Sequence, residues 1–252
     1  MIALLQDLAA AFQFLTRLPM GWLRYRGDLL RRAAIYFPLV GMVLGAAVVG
    51  LHALLSAHFS RSVAALLVVL FLTLMTGAMH EDGLADVADG FGGGWSREKI
   101  LEIMKDSRVG SYGALAICFS VGARVLLLAS LPAERFAAWV IAAETLSRWT
   151  ALPLGAAIPS ARQKAGQEAS LGARIAGQIP WTSVLAGSVL ALVPVLWLLR
   201  WTAWEPCVAA LIVTAASGLY YRRRLGGVTG DCFGATIQLT AIAIYLCGAW
   251  QR

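Results

Sequence analysis

The chain has 252 residues, of which 59% are hydrophobic and only 14% charged, with a mean hydropathy of +0.72 and a formal net charge of +7. That composition lies well outside the soluble average and excludes both a water-soluble globular enzyme and a nucleic-acid-binding domain. It describes an all-α, polytopic membrane helix bundle, read as one transmembrane catalytic domain over residues 1–252.

In chain order, residues 1–32 form an interfacial N-terminal segment. Met1 to Met20 is apolar but interrupted by Asp7, Gln13 and Arg17. It lacks a basic start before a cleavable core, so it reads as an amphipathic helix at the membrane surface and not as a signal peptide. Trp22 and Tyr25, with Arg24, Arg26, Arg31 and Arg32, extend it as a collar facing phosphate headgroups.

Apolar stretches long enough to span follow at about Ala33–Leu55, Val63–Met79, Ser111–Leu131, Phe136–Ile158, Trp181–Leu199, Pro206–Tyr221 and Cys232–Trp250, an expectation of about seven spans. With a cytoplasmic N-terminus, the inner segments carry five, four, three and three Lys/Arg, around residues 17–32, 97–108, 162–174 and 222–224. The outer segments hold one each, Arg61, Arg135, Arg200 and Arg252. The positive-inside rule therefore places the N-terminus and residues 80–110 in the cytoplasm. Small residues four apart, Gly41 and Gly45, Ala46 and Gly50, Gly230 and Gly234, permit close helix packing. The four cysteines and three histidines are too scattered for a zinc site.

Residues 80–110 read as the catalytic segment, because seven of the 14 acidic residues fall between Glu81 and Asp106. If the helix of the second span continues through His80-Glu81-Asp82-Gly83-Leu84-Ala85-Asp86-Val87-Ala88-Asp89-Gly90, then Asp82, Asp86 and Asp89 share an arc of about 60°. Three carboxylates on one face repel unless Mg²⁺, or Mn²⁺, neutralises them. Glu81 points roughly 100° away and is the less certain fourth ligand.

Gly92-Gly93-Gly94 predicts an end to helix, and Ser96 predicts an N-cap for a short amphipathic helix from about Arg97 to Ser107 that turns Ile100, Ile103 and Met104 inward. Lys105, Ser107 and Arg108, followed by Gly110, and Arg17 from the N-terminal segment, suit phosphate oxygens. The Arg222-Arg223-Arg224 run fits topology and lipid headgroups. Within the spans, Glu144 and Arg148 are one turn apart and suit a buried pair reached by Arg124, with Arg148 a further contact for an anionic substrate. Late in the chain, Asp231 in Gly226-Gly227-Val228-Thr229-Gly230-Asp231-Cys232-Phe233-Gly234 fits either a helix N-cap or a residue that completes a metal shell or accepts a proton from an attacking hydroxyl.

The segments GAMHEDGLADVADGFGGG and REKILEIMKDSRVGSYGALA resemble the adenosylcobinamide-GDP ribazoletransferase, or cobalamin 5′-phosphate synthase, family, and FLTRLP and GGVTGDCFGA follow its pattern in the same order. The resemblance implies a magnesium-dependent transferase of the bacterial inner membrane that joins adenosylcobinamide-GDP to α-ribazole, or its 5′-phosphate, and releases GMP. It places the family's acidic motif on Glu81, Asp82, Gly83, Asp86 and Asp89, its basic motif on Lys105, Asp106, Ser107, Arg108 and Gly110, and its late motif on Asp231. The expected partners are those two substrates and the phospholipid bilayer, with no nucleic acid, and a homo-oligomer is left open. An ion-coupled transporter using the acidic cluster, a CDP-alcohol-type phosphotransferase and a pathway scaffold are the rival readings; carboxylates at a span's end, without a repeat, fit a transporter poorly.

Overall fold

A computed structural model describes residues 2–19, 29–162 and 175–250. Helices dominate it: α1 (Ile2–Leu15), α2 (Leu29–Ala33), α3 (Phe37–Ser56), α4 (Arg61–Thr76), α5 (Met79–Gly93), α6 (Arg97–Ile103), α7 (Ser111–Ser130), α8 (Ala133–Trp149), α9 (Ala151–Ala157), α10 (Trp181–Leu199), α11 (Trp204–Leu225) and α12 (Gly230–Ala249). Among the described residues four units are long and apolar enough to cross a membrane: Leu29–Ser56, α7, Trp181–Thr202 and α12. Counting α4 and α5 as one bent crossing gives five. The expected spans at Phe136–Ile158 and Pro206–Tyr221 are instead the α8–α9 pair and α11, which pack with the others but do not stand as apolar spans themselves. Pro153 explains the division of the first, since it has no N–H to give the Trp149 carbonyl one turn back.

The second expected span does not run on into the acidic segment. Gly77 (φ 64°) and Ala78 (φ 57°) both adopt the left-handed conformation, and the chain leaves α4 for α5 at 88°. An alanine held there carries strain of order 1–3 kcal/mol, which the surrounding contacts offset. One such contact is the Arg17 side chain, which lies where a Cβ on Gly77 would stand, while the Arg17 N–H bonds the Met75 carbonyl at 2.7 Å. The expected break at the glycine triplet comes later than the sequence suggested, because α5 stays helical through Gly92 and Gly93. The Tyr112 ring covers the bare Cα of Gly92, and the chain turns out only at Gly94, beside Ile100.

Without a strong hydrophobic drive between helices in lipid, association rests on close packing. Gly41 and Gly45 press on the backbone of α8 at Glu144 and Ile141, and Gly234 on that of α5 at His80. Gly50 faces open space, so its spacing from Ala46 marks no helix contact. Helix α12 is the central element, touching α5, α7, α8 and α11, whereas Phe119, Leu126 and Trp197 point outward from α7 and α10. Helix α1 turns Ala10, Ala11 and Leu15 inward and leaves Leu4 and Leu5 exposed, as a surface helix does. Trp22, Arg24, Tyr25 and Arg26, and most of the basic segment 162–174, lie outside the described residues.

Candidate active site

Asp82, Asp86 and Asp89 do share one helix, but their carboxylates separate. Asp89 turns to the start of α7 and accepts the Gly110 N–H at 2.7 Å and the Gly113 N–H at 2.8 Å. It thereby satisfies two of the donors that a helix N-terminus leaves open. A Cβ on Gly110 would sit 2.5 Å from the carboxylate, so this approach requires a residue without one. Glu81 points the other way, into the bundle, where it meets Arg124 at 2.8 Å and the Thr73 hydroxyl at 3.1 Å. Of the expected metal carboxylates Glu81, Asp82, Asp86 and Asp89, Glu81 is held by a buried cation and Asp89 by backbone amides, while Asp82 and Asp86 stay near Asp231.

A different acidic group forms around α12. Helix α5 crosses it at Gly83, where a Cβ would lie 2.9 Å from the Asp231 carbonyl oxygen. This crossing puts Asp82 and Asp231 on the wall of one cavity of about 420 Å³. Asp86 lies within electrostatic reach of both. The α12 N-cap is Thr229, whose hydroxyl accepts the Cys232 N–H, so the cap role open to Asp231 is filled by its neighbour. The Asp231 carboxylate instead accepts from the Thr229 hydroxyl at 3.1 Å and faces Arg162 at 3.5 Å.

Among the described residues no three His, Cys, Asp or Glu side chains form a ready-made metal cage. That pattern still fits Mg²⁺, which takes hard oxygen donors and is commonly held by one or two carboxylates, waters and the phosphates of a substrate. Asp82, Asp86 and Asp231 supply such donors beside a cavity. The cations expected to meet phosphate lie on the loop after α6, a helix whose Ser96 N-cap accepts the Lys99 N–H at 3.2 Å as expected. Lys105, Ser107 and Arg108 are exposed on that loop, and Gly110 ends it. Arg108 folds back on Asp106, with its closest contact at 2.6 Å, and these hydrogen bonds hold the Asp106 carboxyl down at about 2.

The sequence profile described as cobalamin-5-phosphate synthase matches residues 7–249. The chain belongs to that family. It is 41% identical to the adenosylcobinamide-GDP ribazoletransferase of Sinorhizobium medicae, with 94% of each chain covered. The proteins of that name from Vibrio cholerae and Polaromonas naphthalenivorans are 38% and 37% identical, covering 94% and 98% of this chain and 90% and 98% of theirs. No solved structure matches the chain.

The family match runs from α1 to α12 and so includes every residue of the cavity and the basic loop. Arg148 stands apart from them. It is 4% exposed and bonds Glu144, whose other oxygen accepts the Tyr245 hydroxyl at 2.6 Å. It does not line the 420 Å³ cavity expected to face substrate, and it forms the expected buried pair with Glu144. Arg124 stands in the same buried group as that pair, as expected, and bonds Glu81 there. Arg17 is exposed and packs its side chain on the α4–α5 bend.

Three residues near the acids were not singled out by the sequence. Arg162 bonds the Met104 carbonyl at 3.4 Å as well as facing Asp231, and tethers the basic loop to α12. His80 and Gln13 line the cavity. The position of His80, directly before the acidic motif, was the available signal; Gln13 and Arg162 carried none beyond being polar or charged in unlike surroundings.

Proposed function

We propose that the chain is an adenosylcobinamide-GDP ribazoletransferase, joining adenosylcobinamide-GDP to α-ribazole or α-ribazole 5′-phosphate with release of GMP at the cytoplasmic face of a bacterial inner membrane. One observation carries the reading: Asp82 and Asp231, from helices far apart in sequence, meet on one cavity wall inside a chain of this family. The inward orientation rests on the arginine distribution.

In this reading a ribose hydroxyl attacks the phosphorus that bears cobinamide, in line with the departing GMP. Asp82 and Asp86 would hold Mg²⁺, or Mn²⁺, and the ion would supply positive charge where the phosphate oxygens gain negative charge. Asp231, already polarised by Thr229 and Arg162, accepts the proton of the attacking hydroxyl. Lys105, Ser107 and Arg108 bind the pyrophosphate oxygens, and the Arg108 link to Asp106 keeps the guanidinium over the loop until substrate arrives. Asp89 acts through Gly110 and Gly113, fixing the end of that loop on α7.

The test is turnover by the purified protein. Adenosylcobinamide-GDP and α-ribazole should give GMP and the joined corrinoid in equal amounts, only with Mg²⁺ or Mn²⁺ present. Turnover unchanged by a chelator would remove the metal from the reading, and no turnover with either nucleoside form would remove the reaction.

A further inference from the structure

We propose that the groove between α9, α10 and α11 is a binding site for one anionic phospholipid, with an acyl chain along the helices and the headgroup phosphate on Arg222. The inference requires only that the chain sits in a membrane, and it is independent of the reaction given above. The groove has a volume of about 380 Å³ and shares no lining residue with the cavity beside Asp82 and Asp231. It exists because the α8–α9 pair is broken after Trp149, and because α11 is bare where it passes the second half of that pair. The bare position is Gly218, where a Cβ would stand 3.1 Å from the Leu154 and Ile158 side chains. Those two residues, with Pro153 and with Leu211 and Leu219 of α11, give the groove hydrocarbon walls on which an alkyl chain packs.

Polarity is confined to one end. Along the groove the Thr214 hydroxyl donates to the Ala210 carbonyl at 2.6 Å, and the Trp149 indole N–H donates to the Ser188 hydroxyl at 2.8 Å. Both groups are thereby spent, and a sugar or nucleoside would find no partners for its own polar atoms there. The other two polar lining residues, Trp181 and Arg222, are exposed. Helices α10 and α11 join through residues 200–203, so the start of α10 and the finish of α11 stand together at the opposite end. From Leu211 to Arg222 the helix rises about 16 Å, the depth of one leaflet in a hydrocarbon core about 30 Å thick. A tryptophan and an arginine at that depth mark the level of the headgroups. The triple-arginine run divides accordingly. Arg224 donates to the Gly94 carbonyl at 2.9 Å and lies over the Phe91 ring, whereas the Arg222 guanidinium has no ion pair among the described residues. A lipid phosphate supplies the anion that Arg222 lacks. No carboxylate among the described residues lines the groove to hold the ammonium of a zwitterionic headgroup, so the site favours a lipid of net negative charge.

Native mass spectrometry of the detergent-purified, delipidated full chain tests this, with phosphatidylglycerol and phosphatidylcholine of identical acyl chains as probes. The wild type should retain one phosphatidylglycerol about fivefold more tightly than phosphatidylcholine. Arg222→Gln should abolish that preference. Arg223→Gln, which makes the same change of net charge at an exposed residue outside the lining, should keep it within about twofold. Ala157→Trp, which fills the groove from an exposed position, should weaken both lipids by about tenfold or more. Glycerol phosphate, a headgroup without chains, should not displace phosphatidylglycerol. Equal retention of the two lipids by the wild type, an equal loss in Arg222→Gln and Arg223→Gln, or displacement by glycerol phosphate overturns the inference. Undiminished lipid retention in folded Ala157→Trp overturns it too, and a dimer lost in that variant would then name a second copy of the chain as the occupant. If Ala157→Trp does not fold, the comparison of the two arginine variants decides.

Discussion

Glu81 and Asp82 are neighbours in sequence and opposites in setting. Glu81 is 5% exposed and locked to Arg124 and Thr73, in a buried group that also holds the Glu144–Arg148 pair and the Tyr245 hydroxyl. Asp82, one residue on and about 100° round the helix, is exposed on the cavity wall facing α12. The buried group balances two carboxylates with two arginines, so its charges hold helices together. The rim sets Asp82, Asp86 and Asp231 near one another with, among the described residues, only Arg162 paired to them, a negative field that a divalent cation and a phosphate would complete. A carboxylate's role in this chain therefore follows from what its helix neighbours supply and not from its place in a motif.

Substitutions on the two sides of this contrast should behave differently. The greatest loss belongs to the rim: Asp82→Asn should lower kcat by about a thousandfold, equivalent to about 4 kcal/mol, with the melting temperature in detergent unchanged. In the buried group the effect moves to stability. Glu81→Ala strands the Arg124 charge and should destabilise the fold by about 3–5 kcal/mol, read from thermal unfolding in detergent, while Glu81→Leu combined with Arg124→Leu should recover most of it. Asp89→Ala belongs between the two, costing about 1–2 kcal/mol as the α7 amides lose their acceptor and raising the KM for adenosylcobinamide-GDP as the basic loop loosens. The mildest change is expected at Arg108. Arg108→Gln should leave unfolding unchanged, because the pair is solvent-exposed, yet raise the KM for adenosylcobinamide-GDP. The sign of the Asp106 shift supports this: a carboxyl lowered to about 2 loses its pairing only as pH falls through that value, so the pair stays charged across about pH 5–8 and the rate profile there should not report it.

Much of the bundle was legible because span length and helix phase are one-dimensional signals. The limits of α7, α10 and α12 fell within a few residues of the apolar runs, Ser96 caps α6 as its type suggests, and Gly41 and Gly45 mark a true helix contact. The family, too, was carried by local motifs. What the sequence concealed depended on contacts between distant segments. A single glycine in an apolar run does not announce a right-angled bend, and the Gly77–Ala78 break is fixed from outside by Arg17. Phasing placed Asp82, Asp86 and Asp89 on one face, but the amides that draw Asp89 away belong to α7, and the cation that claims Glu81 lies 43 residues downstream. Gly92 and Gly93 stayed helical, with the Tyr112 ring over Gly92, which no local propensity encodes.

On the proposed reaction, catalysis belongs to Asp82, while Glu81 serves the architecture. The most direct measurement of that division is the initial rate of GMP release from adenosylcobinamide-GDP and α-ribazole at saturating Mg²⁺, taken side by side for folded Asp82→Asn and Glu81→Gln proteins. Asp82→Asn should lose about a thousandfold, while the folded fraction of Glu81→Gln stays within about tenfold of wild type. Equal rates in Asp82→Asn and wild type, or a deeper loss in folded Glu81→Gln than in Asp82→Asn, would contradict it.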